Sequence, residues 1–288
     1  LVGLFLAFDG RLTMGTVSTA ASMANFVITP CHQIAQCWAK VKSSQGIRQR
    51  LEAAMAEPQV AEQGEPIGHI DSIQCETVRF AYPNTAEPVL KDASLTVDAA
   101  QKVALVGESG CGKSTLAKLL FQYYPDYSGD ILFNGRQVRT LDRTALYRRV
   151  GYIAQTAYLF HDTIRNNICL HEDFPDEQLA HAIAAAGLTD WVASLPDGLD
   201  TVISENGKNL SGGQRQRIGI ARLALRSYDL IIADEITASL DPDTSQQVME
   251  NLIAMPCMVV AITHDVAGSF MHQFDKVYRV EHGVVRVA

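Results

Sequence analysis

The stretch KVALVGESGCGKST, residues 102–115, decides the fold of this chain. It opens with a nearly continuous apolar run, which is typical of a strand buried on both faces of a parallel sheet. A glycine-rich turn begins at Gly107 and fits the pattern G-x-x-x-x-G-K-[ST], with Lys113 and Ser114 at its end. The helix-forming sequence KSTLAKLLF overlaps the end of the turn. This order of strand, turn and helix predicts a loop that binds the phosphates of a nucleoside triphosphate.

The residue types in this loop suit that chemistry. Glycines let successive backbone N–H groups point at phosphate oxygens, and the following helix presents its positive N-terminus to the same anion. Lys113 supplies a flexible charge for the β- and γ-phosphates, and the Ser114 hydroxyl is a ligand for Mg²⁺. Cys111 fills a free position of the pattern, so we expect alkylation of its thiol to crowd the phosphates. The expected nucleotide contacts are Gly107, Glu108, Ser109, Gly110, Cys111, Gly112, Lys113, Ser114 and Thr115.

A second apolar run, LIIA at residues 230–233, ends in two acids. Asp234 stands at the tip of the predicted strand, where it is expected to hold Mg²⁺ directly or through water. Glu235 points in another direction and is expected to accept a proton from the water that attacks the γ-phosphate. The pair therefore predicts hydrolysis beside the phosphate loop.

Short apolar runs alternate with helical stretches from Ile70 to the end of the chain, which predicts an α/β domain. Residues 61–69, rich in Glu, Gly and Pro, are expected to be a linker. Hydrophobic residues make up 47% of the chain, which excludes a wholly disordered protein.

The charge and the cysteines exclude further classes. There are 24 Lys and Arg residues against 32 Asp and Glu residues, and the resulting net charge of −8 argues against nucleic acid as a partner. The six cysteines form no C-x-x-C pair, so zinc and redox motifs are unsupported. Scattered cysteines are expected to be reduced, in a cytosolic compartment.

The N-terminal stretch from Leu12 to Ala39 contains no Asp, Glu, Lys or Arg. A helix of this length could cross a hydrocarbon core of about 30 Å, and its small and polar residues suit packing against other membrane helices. An amphipathic soluble helix is the alternative. The chain begins at Leu1 without the basic region of a signal peptide, so we expect a fragment that begins inside a larger protein.

A second anion site is predicted at Leu210-Ser211-Gly212-Gly213-Gln214, where a helix is expected to begin. Ser-Gly-Gly at a helix start offers backbone N–H groups and a hydroxyl to an anion. One chain thus has two phosphate-binding helix ends. A single triphosphate needs both helix ends only if the second helix end belongs to another molecule.

With LSGGQ placed 20 positions before Asp234, counted from Gln214, the chain resembles the ATP-binding cassette (ABC) proteins from about residue 70 to residue 288. The resemblance implies that Tyr82, in VRFAYP, stacks on adenine. It implies that Gln155, in VGYIAQ, contacts Mg²⁺ and couples to a membrane domain. Asp241 ends ASLD, which resembles the D-loop of the family, although the usual order there is Ser-Ala-Leu-Asp. His264 matches the switch histidine near the γ-phosphate.

The fold that the resemblance implies is an α/β P-loop NTPase cassette. It comprises a mixed RecA-like core sheet, an antiparallel β subdomain and an α-helical signature subdomain, preceded by a mostly α-helical membrane-derived segment. Residues 1–60 are expected to be the C-terminal remnant of an exporter transmembrane domain. That remnant would hold the end of the fifth membrane helix at residues 1–8, the last membrane helix at about 12–39, and a stalk. Residues 70–288 are expected to be the nucleotide-binding domain.

The run LFHDTIRNNI after Gln155 and the run VISENG before LSGGQ resemble those of exporter half-transporters. The resemblance therefore implies an ATPase that drives efflux, placed in the cell membrane (the inner membrane in a bacterium) with its cassette on the cytoplasmic side. Two alternatives stand beside it: a soluble ABC ATPase acting on DNA or ribosomes, and a non-catalytic nucleotide-binding partner. The negative charge disfavours the first, and the intact Glu235, His264 and LSGGQ disfavour the second.

The expected mechanism joins two cassettes head to tail, either identical or different, beside their transmembrane domains. ATP and Mg²⁺ are held by one cassette, and Ser211, Gly212, Gly213 and Gln214 of the other complete the site. The expected catalytic residues are Lys113, Gln155, Glu235 and His264. The expected metal ligands are Ser114, Gln155 and Asp234, and Asp241 is expected near the nucleotide.

Overall fold

A computed structural model of the protein describes residues 5, 13–56, 64–83, 85, 87–155, 157–238, 240–264 and 270–288. The chain divides into two compact units, Leu1–Ala61 and Glu62–Ala288. The described part of the first unit is essentially one helix, α1, Met14–Ala56, which contains Pro30. The predicted helix at 12–39 lies within α1 from residue 14 onward. The membrane helix end predicted at residues 1–8 lies, Phe5 apart, outside the described residues, as does Ser239 of the predicted D-loop.

In the part of the chain that the structure describes, no helix combines the length and the apolar character needed to cross a membrane.

The second unit is built on a ten-stranded mixed sheet with the order β5-β4-β1-β2-β10-β9-β3-β8-β7-β6. The strands are β1 Ser72–Phe80, β2 Leu90–Asp98, β3 Lys102–Val106, β4 Ser128–Phe133, β5 Arg136–Gln137, β6 Val150–Ile153, β7 Leu230–Asp234, β8 Met258–Thr263, β9 Lys276–Glu281 and β10 Val284–Val287. Strands β9, β3, β8, β7 and β6 are parallel neighbours, whereas β5, β4, β1 and β2 form an antiparallel part. The predicted α/β class with a mixed core sheet is confirmed.

Eight helices are described, counting α1. The others are α2 Lys113–Leu120, α3 Arg143–Arg149, α4 Ile164–Cys169, α5 Asp176–Ala185, α6 Thr189–Ala193, α7 Gly212–Ala224 and α8 Pro242–Ile253. Helices α4 to α7 follow one another along the chain, where the α-helical subdomain was expected.

Burial explains why the sequences of the parallel strands are continuous apolar runs. Every residue of β3, β7 and β8 is buried, because both faces of the sheet are covered. Side chains alternate between the faces of a strand, so Val103 and Leu105 join one hydrophobic core, while Ala104 and Val106 join the other. Strand β1, by contrast, alternates buried and exposed positions over most of its length.

The described residues of the predicted linker, 64–69, belong to the second unit and pack against its core. Glu65 pairs with Leu141 in an isolated parallel bridge, and Ile67 is buried in the same core as β1. The apolar side chain of Ile67 thus finds cover that a solvated linker would not provide. The carboxyl ends of β3, β6, β7 and β8 lie along one edge of the sheet, which is where open α/β sheets place their ligands.

Candidate nucleotide-binding site

The phosphate loop, Gly107–Thr115, connects β3 to α2. Gly107 has φ +151°, and a Cβ there would lie 2.3 Å from the Val280 carbonyl oxygen. Gly112 has φ +113°, and its Cβ would lie 2.8 Å from Leu90 Cδ2. Only glycine fits these two positions. Gly112 caps α2 without a side chain, so the first N–H groups of the helix have no side-chain acceptor and suit an anion.

The Lys113 ammonium lies inside the loop. Its Nζ donates to the carbonyl oxygens of Gly107 and Glu108, both at 2.8 Å, and the side chain is almost wholly buried. The remaining neighbour is Cys111 Sγ at 3.8 Å, a weak acceptor. An ammonium has three N–H donors, so a phosphate oxygen needs to replace only the contact with sulfur.

Asp234, at the carboxyl end of β7, accepts hydrogen bonds from two side chains. Ser114 Oγ donates to Oδ1 at 2.9 Å, and Tyr152 Oη donates to Oδ2 at 3.1 Å. Burial raises the pKa of Asp234, and these two hydrogen bonds oppose the rise. The pKa of Tyr152 is raised, first by burial and next by the charge of Asp234, so its hydroxyl keeps its proton and donates the hydrogen bond. A hydroxyl and a carboxylate this close are hard oxygen ligands of the kind that Mg²⁺ prefers.

Glu235 follows directly but meets different partners. Gln155 Nε2 donates to Oε2 at 3.0 Å, and His264 Nε2 lies 2.5 Å from Oε1. His264 Nδ1 lies 2.9 Å from the Gly107 carbonyl oxygen. The backbone of Glu235 has φ +53°, an unfavourable conformation for a side chain of this size that is often found at active sites. The carboxylate is thus held in one place, between the glutamine and the histidine.

A cavity of about 440 Å³ opens beside this carboxylate. Glu235 and His264 line it together with the hydroxyl-bearing side chains of Thr237 and Ser245. A cavity of this size with several polar side chains in its wall has room for water molecules. The carboxylate of Glu235 therefore borders space from which a water molecule can reach it.

Tyr82 lies beyond β1, half-buried in an aromatic cluster. Its ring meets Phe80 and Tyr124 edge-on, with centroid distances of 5.1 and 5.5 Å. Its hydroxyl lies 3.0 Å from Thr115 Oγ1, the last residue of the phosphate loop. The residue predicted to stack on adenine is therefore bonded to the loop predicted to hold the phosphates.

The signature segment, Leu210–Gln214, begins α7 with a reciprocal cap. Ser211 Oγ accepts the Gln214 N–H at 3.1 Å, and Gln214 Oε1 accepts the Ser211 N–H at 2.9 Å. The Ser211 hydroxyl, which was predicted to face an anion, thus accepts a hydrogen bond from its own helix. Gly212 and Gly213 occupy the first turn, where backbone N–H groups have no acceptor within the helix.

The structure brings most, but not all, of the predicted site residues together. Ser114 and Asp234 form one pair, and Gln155, Glu235 and His264 form the next cluster. Lys113 and His264 both contact the Gly107 carbonyl oxygen. Between the signature segment and the phosphate loop, no hydrogen bond is found among the described residues. Asp241 caps α8 by accepting the Thr244 N–H at 3.0 Å, which lowers the pKa of Asp241. Its neighbours Leu240 and Pro242 line the cavity beside Glu235, so its place near the nucleotide stays a prediction.

Tyr152 is a residue of the candidate site that the sequence did not reveal. It lies on β6, and its hydroxyl reaches Asp234 at the end of the neighbouring strand β7. An aromatic residue in an apolar strand is normally attributed to packing, so only the parallel pairing of β6 with β7 identifies its partner. The capping box was recognisable, because Ser-Gly-Gly-Gln fits the pattern S-x-x-Q.

Comparison with known proteins also identifies ABC proteins as relatives of this chain. The family model described as ABC transporter matches residues 90–238. The ATP-dependent lipid A-core flippase of Salmonella typhimurium is 33% identical over 280 residues, and that of Escherichia coli K12 is 32% identical over 278. Each alignment covers 95% of this chain and 48% of the relative, so the chain spans about half the length of these relatives.

A solved structure is also similar, that of a bacterial Atm1-family ABC exporter with ATP bound. The TM-score is 0.77 at 27% sequence identity, with 96% of this chain and 49% of that chain covered.

Proposed function

Because the chain belongs to the ABC transporter family and therefore binds ATP, we propose that it is the ATP-hydrolysing engine of an exporter. The observation that carries the proposal is the position of Glu235. Its carboxylate is fixed by Gln155 and His264, and His264 in turn contacts the phosphate loop at Gly107. A fixed carboxylate beside a triphosphate is what activation of a water nucleophile requires.

In the proposed reaction, the backbone N–H groups of the phosphate loop and the Lys113 ammonium bind the β- and γ-phosphates. Glu235 orients the attacking water and takes its proton. His264 donates a hydrogen bond to the γ-phosphate in place of one of its two present contacts, with Glu235 or with the Gly107 carbonyl oxygen. The remaining contacts keep Glu235, His264 and Lys113 close to their catalytic positions, so little reorganisation is needed in the transition state.

Ser114 and Asp234 fit a Mg²⁺ ion, with Gln155 as a further oxygen ligand. The Ser114 hydroxyl and the Asp234 carboxylate lie within a hydrogen bond of each other, and both belong to the oxygen donors that the ion prefers. A bound Mg²⁺ would neutralise the charge that develops on the phosphate oxygens.

We further propose that the site is shared between two cassettes. The signature segment presents first-turn N–H groups at a helix start, and no hydrogen bond among the described residues ties it to the phosphate loop of its own chain. A partner's signature segment would then complete the site over the γ-phosphate. Closure on ATP and reopening after hydrolysis would switch transmembrane domains between two states.

The place of action follows from the same family membership. The exporter relatives support a cell-membrane location with the cassette on the cytoplasmic side, and α1 is proposed as the segment that joins the cassette to the membrane domain. Neither nucleic-acid binding nor a non-catalytic role is favoured, since the net charge is −8 and both Glu235 and His264 are in place.

The test is the size of purified Glu235→Gln protein with and without Mg-ATP, measured by light scattering after gel filtration. This variant keeps the site but slows hydrolysis, so ATP is expected to convert monomers to dimers. The matched control adds Lys113→Met, which removes the phosphate-binding ammonium and should leave the protein monomeric in ATP. A Glu235→Gln chain that binds Mg-ATP tightly yet stays monomeric would contradict self-pairing.

A further inference from the structure

The Tyr82 hydroxyl and the Thr115 hydroxyl are in direct contact, 3.0 Å apart. The two residues are 33 positions apart in sequence, one beyond β1 and the other at the start of α2. Edge-on contacts with Phe80 and Tyr124 hold the Tyr82 ring in place. The base side and the phosphate side of the proposed site are therefore joined by one hydrogen bond.

The direction of this bond follows from the acidity of the two groups. A phenol, with an ordinary pKa near 10, is a much better donor than an aliphatic alcohol. Either hydroxyl can be the donor by geometry, and the greater acidity of the phenol favours donation from Tyr82 Oη–H to Thr115 Oγ1. In that arrangement the Thr115 hydroxyl keeps its own proton, and no described residue accepts it.

The surroundings of Thr115 indicate where the proton is used. The side chain is 95% buried, being only 5% exposed, so bulk water is a poor acceptor for it. It belongs to the loop whose backbone N–H groups and Lys113 ammonium converge on an anion. A phosphate oxygen is the acceptor that fits such a place, because it accepts several hydrogen bonds and donates none.

We propose that Tyr82 is a positioning residue for the triphosphate as well as a ring for the base. By donating to Thr115 Oγ1, its hydroxyl leaves the Thr115 proton for a phosphate oxygen. This inference rests on the proposed ATP-binding function and extends it. A residue that only stacks on the base has no effect on a ligand without a base, whereas a residue that acts through Thr115 affects both kinds of ligand.

The experiment measures how Mg-ATP and Mg-tripolyphosphate displace a fluorescent ATP analogue. In Tyr82→Phe the ring stays and the donor is lost, so both competitors should weaken by roughly two- to tenfold, the range of one hydrogen bond. Thr115→Val removes the acceptor, so adding Tyr82→Phe to it should weaken tripolyphosphate no further. Thr115→Ser keeps the hydroxyl, so in this background Tyr82→Phe should still weaken tripolyphosphate binding.

The matched control is Tyr124→Phe. Tyr124 belongs to the same aromatic cluster, and in the described part of the chain its hydroxyl makes no hydrogen bond, so neither competitor should change. Tripolyphosphate binding that is equal or tighter in Tyr82→Phe than in the parent would overturn the inference. Failure of the parent protein to bind ATP at all would instead contradict the proposed function, which keeps the two outcomes apart.

Discussion

His264 Nε2 lies 2.5 Å from Glu235 Oε1, while Nδ1 of the same ring lies 2.9 Å from the Gly107 carbonyl oxygen. A carbonyl oxygen only accepts, so Nδ1 carries a proton. The imidazole thus connects the proposed base to the phosphate loop.

The role of Glu235 predicts the effect of Glu235→Gln. The amide keeps the shape and accepts or donates hydrogen bonds, but it cannot take a proton from water. Turnover should fall by about 100-fold or more, the range of general base catalysis, while ATP binding persists. Steady-state phosphate release and equilibrium nucleotide binding measure the two separately.

The control for that variant is Glu76→Gln, which makes the same change of charge on an exposed position of β1. It should leave both the rate of phosphate release and the affinity for nucleotide unchanged. A Glu235→Gln protein that hydrolyses ATP at the parent rate would remove Glu235 from the proposed mechanism.

The raised pKa of Asp234 predicts a gain in stability on Asp234→Asn. Because the folded state holds this proton more tightly than the unfolded state, stability falls as pH rises from about 3.9 through the raised pKa. Asparagine does not titrate, so the free-energy advantage of Asp234→Asn should grow over this window and stay constant above it. At neutral pH without Mg²⁺, the Tm should rise by about 2–4 °C per kcal/mol of desolvation relieved.

Calorimetry between about pH 4 and pH 8 tests this, with Asp241→Asn as the matched control. The pKa of Asp241 is lowered, chiefly by the Thr244 N–H, so its ionised form contributes stability that is lost as pH falls. Removing that charge should not raise the Tm. Equal behaviour of the two variants would contradict the opposite electrostatic environments assigned to Asp234 and Asp241.

The sequence predicted the parts of the site that depend on local patterns. Apolar runs placed β3 and β7, and a fixed spacing placed the residues at their ends. Tyr152 escaped prediction because its role depends on which strands are neighbours. The order of the sheet depends likewise on contacts between residues far apart in sequence, such as the pairing of β9 with β3, which no local pattern encodes.

The position of Cys111 predicts that ATP binding is sensitive to thiol reagents. Its Sγ lies 3.8 Å from Lys113 Nζ, so an added group would occupy the space into which the ammonium presents its remaining N–H. Alkylation should abolish ATP binding, and prior addition of Mg-ATP should protect the protein. Nucleotide binding before and after treatment with N-ethylmaleimide measures this.

Two other cysteines, Cys31 and Cys37, are exposed on α1 and serve as internal controls. Cys111→Ser should still be labelled at both positions, as mass spectrometry would show, yet keep its ATP binding after treatment. Loss of binding in the treated Cys111→Ser protein would place the sensitive thiol elsewhere.

The shared site predicts a specific pattern of rescue between two inactive variants. Lys113→Met disables the phosphate loop, whereas Ser211→Asp keeps a good N-cap but sets a negative charge against the γ-phosphate. Each homodimer should be inactive. A heterodimer with one substitution in each chain combines both defects in one site and leaves the other intact, so roughly half of the parent ATPase activity should return.

The decisive control places both substitutions in the same chain and pairs that chain with an unsubstituted one. Each of its two sites then contains one defect, so this heterodimer should be inactive although it carries the same two changes. Differently tagged chains, purified through both tags, provide the two heterodimers for comparison. If each site were built within a single chain, the results would reverse: the heterodimer with separated substitutions would be inactive and the one with both in a single chain would keep half the activity.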